Sequence, residues 1–165
     1  MIVPTAAQML KTVERTIASV LQPELTTQNA RSAAATVGHM LRIATLRVEV
    51  EGQLLHDERA ALNELLPRVA QWLVAHGRSV DPAIAARPPF DPTVYPSLGM
   101  MAADVGALRQ GVCAGLAALR AATAESGCDA SGSTLLEDLR GTIARQLEQE
   151  GRFIDPATQG FGPRR

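Results

Sequence analysis

The sequence predicts an all-α protein: a five-helix up-and-down bundle with a kinked third helix and a long Pro-rich connector. Apolar residues recur at helical spacing along most of the chain. No two alternating runs offer themselves as paired strands; Arg47-Val48-Glu49-Val50-Glu51 alternates, but it is short and continues a helical stripe. Helix-start signatures stand where the periodic stretches begin. Residues 1–151 are expected to form one bundle domain, with helices one, two, four and five antiparallel and the third packed against them. Residues 152–165, with Pro156 and Pro163, read as an irregular C-terminal tail.

The first helix begins at a capping box, Thr5-Ala6-Ala7-Gln8, in which hydroxyl and amide satisfy each other's orphan backbone N–H groups. Met9, Leu10, Val13, Ile17, Val20 and Leu21 share a face, and Gln22-Pro23 ends the helix. Thr26-Thr27 caps a second helix reaching about Glu51-Gly52. One of its stripes holds Ala30, Ala33, Ala34, Val37, Leu41, Ala44 and Val48; a second holds Ile43, Leu46 and Val50. A helix apolar on two faces is central or meets a partner chain. Beyond Gly52, the seam of Leu55, Leu62, Leu66, Val69 and Leu73 marks the third helix. Pro67 predicts a kink in it, and Gly77 a C-cap.

Residues 78–99 carry Pro82, Pro88, Pro89, Pro92 and Pro96 with Phe90 and Tyr95. So long a connector is either packed along the bundle or exposed for binding. Its apolar side chains favour packing. The fourth helix, about 98–125, has its seam at Val105, Leu108, Val112, Leu116 and Leu119. Beside that seam stand Ala107, Gly111 and Gly115, a spacing that predicts close helix contact. Ser126 to Ser133 reads as a flexible turn. Thr134-Leu135-Leu136-Glu137 reads as a capping box for the fifth helix, which ends near Gly151.

Composition narrows function by exclusion. The chain has 165 residues, 16 basic and 17 acidic, and a formal net charge of -1. No strong positive field is available for nucleic acid, and no run approaches the length of a membrane span. The N-terminus lacks the basic and apolar regions of a signal peptide, so a cytoplasmic location is expected. Cys113 and Cys128 cannot build a disulfide framework and read as small buried residues or incidental thiols. No His has a Glu three residues before it, which removes the di-metal helical bundle. Nucleophile elbow, phosphate loop and dinucleotide fingerprint are absent. No catalytic residue, metal ligand or cofactor is predicted.

What remains points to binding. The stripe Ile43, Leu46 and Val50, with His39 beside it, is a candidate interface and predicts a homodimer. A small-molecule carrier is the alternative, with Arg42 meeting an anionic or acyl ligand and Phe90 and Tyr95 forming a lid.

Two resemblances bear on these readings. Leu54-Leu55-His56-Asp57 is similar to the core of HD-domain metal-dependent phosphohydrolases. It implies ligands at His39, His56, Asp57 and either Asp104 or Asp138. As a stretch of helix, His56 and Asp57 point away from the leucine seam, and a solvated helix start accounts for them. The second resemblance rests on Pro4-Thr5-Ala6-Ala7-Gln8-Met9-Leu10-Lys11-Thr12-Val13 and on Leu139-Arg140-Gly141-Thr142-Ile143-Ala144, with Gln146-Leu147 and Arg152-Phe153. These stretches resemble the opening and closing helices of an all-helical bacterial family of unknown function. That family is found beside or fused to aminoglycoside-phosphotransferase-like kinases, often near acyl-CoA dehydrogenase-like genes. The resemblance implies a non-catalytic helper with an enzyme partner.

Overall fold

The computed structural model describes residues 3–126 and 129–158, and every regular element among them is helical. Four helices dominate: α1 (Ala6–Thr16), α2 (Gln28–Ala75), α3 (Leu98–Ser126) and α4 (Ala130–Thr158). Between α1 and α2 lie a π-helical turn, Ile17–Leu21, and a short helical piece, Gln22–Glu24. A 3₁₀ turn, Pro82–Ile84, interrupts the connector. Cys128 and the tail beyond residue 158 fall outside the described residues.

The expected second and third helices are one. α2 continues through Gly52, and Pro67 lies inside it, so five principal helices become four. A mid-helix glycine costs about 1 kcal/mol against alanine. The regular helix on both sides outweighs that penalty. The ends of α2 follow the sequence signals. Thr27 Oγ1 accepts from the Ala30 N–H at 3.2 Å. Gly77, at φ 68°, closes the other end: the Arg78 N–H donates to Leu73 O at 2.9 Å and the Gly77 N–H to Val74 O at 3.0 Å.

The start and end of α4 correct the sequence reading. The helix opens at Ala130, not at Thr134, and it runs to Thr158, past the predicted end near Gly151. Asp129 is the cap: its Oδ1 accepts from the Gly132 N–H at 2.7 Å. Thr134, read as the cap, instead donates its hydroxyl to Ala130 O at 3.0 Å inside the helix. The Trp72 indole N–H reaches Asp129 Oδ1 at 3.1 Å and Ser131 Oγ at 3.0 Å. This contact from α2 makes the earlier start favourable. Leucine periodicity, the strongest sequence signal, does not register it.

The chain divides into two compact units, Met1–Gly52 with Glu148–Arg165, and Gln53–Leu147. The second holds the apolar core. Leu62, Leu66, Val69 and Leu73 of α2 meet Leu108 and Leu119 of α3 and Leu139 of α4, all fully buried. Burying each such side chain contributes about 1.5–3 kcal/mol. Gly111 lets the connector approach: a Cβ there would run into the Ala83 carbonyl and stand 2.9 Å from Leu66 Cδ1. The first part of the connector is therefore packed, with Ile84 buried. Cys113, read as a small buried residue, is exposed.

Candidate functional site

The first unit has a different character. Thr45 is its one buried side chain among the described residues, and no large apolar side chain is fully enclosed. Exposed instead are Met9 and Val13 on α1, Val20 in the π turn, and Val37, Met40 and Val48 along α2. Met40 is 63% exposed. The stripe expected to face a partner, Ile43, Leu46 and Val50, is half-buried. Val37 and Val48, read as part of the other stripe, are more open.

Within this unit α1 is fixed by its predicted capping box, with Gln8 N to Thr5 Oγ1 at 3.2 Å and Thr5 N to Gln8 Oε1 at 2.8 Å. Ion pairs join it to α2: Lys11 Nζ to Glu49 Oε1 at 2.6 Å, and Arg42 Nε to Glu14 Oε1 at 3.4 Å. The helix then widens. The Gln22 N–H donates to Ile17 O, five residues back, which defines the π turn. Pro23 follows at once. In a regular helix its ring would press on the Ser19 carbonyl, and the widened turn relieves that clash. π turns of this kind recur at functional sites.

Beside the turn lies a pocket of about 250 Å³. Glu14, Ile17, Ala18 and Gln22 line one wall. Ala34, Ala35, Gly38, His39 and Arg42 of α2 line the other. The small side chains make the hollow, and a Cβ added at Gly38 would meet nothing within 4 Å. The polar groups form a cation, an anion, an amide and an imidazole around an apolar floor. Among the described residues, no Ser, Thr or Cys lines it.

A larger groove, about 570 Å³, lies in the second unit and includes Glu64, Arg68, Asp138, Thr142 and Arg145. Both of its arginines are engaged within the groove, Arg68 Nη2 with Asp138 Oδ2 at 3.0 Å and Arg145 Nη2 with the Thr142 hydroxyl at 3.2 Å. Trp72, His76, Asp129 and Ser131 also converge, with the indole and imidazole stacked at 3.9 Å. In that cluster the Ser131 hydroxyl donates to Asp129 Oδ2 at 2.7 Å, an arrangement that caps a helix rather than activating an oxygen.

The structure thus brings His39 and Arg42 together in one pocket. Phe90 packs in the second unit beneath the Arg59 guanidinium, 4.1 Å from its ring centre, while Tyr95 stands 90% exposed. Arg59 also bonds the Pro88 carbonyl and pairs with Asp104 at 3.0 Å; Arg87 reaches the same carboxylate at 3.2 Å. The phosphohydrolase resemblance would need for metal either that carboxylate or Asp138, which pairs with Arg68. Asp57 accepts from Gln53 Nε2 at 2.7 Å, and no group of three or more His, Cys, Asp or Glu is placed to hold a metal among the described residues. Sequence reading missed the π turn and the pocket wall it makes. Pro23 shortly after an uninterrupted helical stripe was the available signal.

These features define an all-helical protein as the class. Comparison with protein-family models, curated proteins and solved structures found no match to this chain. No helix among the described residues is long and apolar enough to cross a membrane.

Proposed function

We propose that this protein is a non-catalytic, cytoplasmic interaction module that works as a homodimer and serves as helper to an enzyme. One observation carries the reading: among its described residues the first unit keeps no large apolar side chain fully buried, while Met9, Val13, Val37, Met40 and Val48 stand open. A small group of helical segments without an enclosed core is marginal alone. A second chain that covers these residues supplies the missing burial.

A second copy is the occupant that charge favours. Lys11, Glu14, Arg42, Glu49, Arg47 and Glu51 are paired with one another within the unit. The whole chain is near neutrality, at -1. Two copies therefore approach without the repulsion that strongly charged faces impose. The likeness of the opening and closing helices to the kinase-associated family supports the helper role.

Sedimentation velocity at micromolar concentration tests the dimer. The expected mass is twice 17.5 kDa. Val37→Glu with Met40→Glu should return the monomer with its helix content kept, because both positions are exposed in the single chain. A monomeric wild type would overturn the reading.

A second reading, a carrier of a small molecule, is favoured by a different observation: the pocket that gathers Arg42, His39, Glu14 and Gln22.

A further inference from the structure

We infer that the pocket of the first unit takes a small zwitterion of the α-amino acid type, its carboxylate on Arg42 and its ammonium on Glu14. The inference rests on the carrier reading and supplies its ligand class. Size is the first argument. A volume of about 250 Å³ lies below the usual range for drug-sized ligands, about 300–1,000 Å³. It suits a single small metabolite.

Charge is the second. The wall offers one permanent cation and one carboxylate that already face each other, so a ligand carrying both signs can bridge them and leave neither uncompensated. The Arg42 contact to Glu14 is one long approach from Nε, 3.4 Å, and the two Nη groups have no partner among the described residues. A guanidinium so placed presents a free edge for a two-point bond to carboxylate. Arg42 and Glu14 are close neighbours. An α-amino acid carries its ammonium and carboxylate on one carbon and matches them. A γ-amino acid separates its charges too widely.

The floor is the third. Ile17, Ala18 and Ala34 are apolar, and the space above Gly38 is open. A short aliphatic side chain fits there, while the Gln22 amide at the rim can bond to either charged end.

Isothermal titration of the 165-residue chain with each common α-amino acid in turn tests this. One or a few small aliphatic members should bind saturably. The N-acetyl derivative, the methyl ester and γ-aminobutyrate should each bind at least about tenfold more weakly, the loss of one charge-assisted contact. Arg42→Gln and Glu14→Gln should weaken binding by a similar factor. Gly38→Leu fills the pocket and should abolish binding, and circular dichroism should show the helix content unchanged or higher, since leucine is the better helix former. No saturable binding by any α-amino acid overturns the inference. So does equal binding of the N-acetyl form, or undiminished affinity in Gly38→Leu. If a simple anion such as acetate or a fatty acid binds in the zwitterion's place, the inference fails while the carrier reading stands. The dimer is read separately, by mass.

Discussion

Glu58 and Arg109 face each other across α2 and α3 in a two-point ion pair: Nε to Oε1 and Nη2 to Oε2, each 2.7 Å. Only 9% of the Glu58 side chain is exposed, against 36% for Arg109. Removing the arginine would strand a nearly buried carboxylate. Arg109→Met should therefore destabilise the second unit by about 2 kcal/mol, less than for a fully enclosed pair because Arg109 touches solvent. Urea denaturation followed by the single tryptophan, Trp72, measures it. Glu58→Gln with Arg109→Met should recover part of the loss.

Two glycines inside helices should respond in opposite directions. Gly111→Ala places a methyl against the Ala83 backbone and Leu66. Overpacking of this kind costs about 1–3 kcal/mol and exceeds the helix-propensity gain. Gly38→Ala meets nothing and should stabilise by up to about 1 kcal/mol. Paired thermal melts give the comparison, and equal shifts in both variants would contradict the packing of the connector on α3.

Asp129 should give the start of α4 a sensitivity to acid. Its carboxyl is held below the usual carboxylate range, first by the Gly132 N–H and then by the Ser131 hydroxyl, against a smaller opposing effect of burial; the Trp72 indole and His76 add to the lowering. The folded pKa lies below the unfolded one, so the stabilisation is complete above the unfolded value, about 3.9. It is lost as pH falls through the folded value. Trp72 fluorescence should shift on acidification below about pH 4, and Asp129→Asn should flatten that response. An identical acid transition in the variant would show that other carboxylates govern it.

The connector's two aromatics should differ sharply. Phe90 is half-buried under Arg59, whereas Tyr95 has no such cover. Phe90→Ala should cost about 1–2 kcal/mol from lost burial and cation–π contact. Tyr95→Ala should stay within about 0.5 kcal/mol. Hydrogen exchange should likewise protect the Arg87 amide, bonded to Asn63 Oδ1 at 2.7 Å, more than that of Tyr95.

By itself the sequence determined the helical class, the Thr5 capping box, the Gly77 terminus and the leucine seams. It also marked Gly111 as a place of close approach, and Arg42 and His39 as residues for attention. These are local matters: spacing along one helix, or bonds closed within one turn, whose energies are set by neighbours in the chain. Tertiary structure decided the rest. Continuity through Gly52 turned on a penalty of about 1 kcal/mol, too small for local signals to settle. The start of α4 was moved to Asp129 by an indole 57 positions away in sequence. Which stripe of α2 is open, Ile43-Leu46-Val50 or Val37-Met40-Val48, depended on where its neighbours lie. Periodicity identifies faces but carries no information about what covers them. The pocket arose the same way, since Glu14 and Arg42 come to line one hollow only when the widened turn at Ile17–Leu21 sets one helix beside the other.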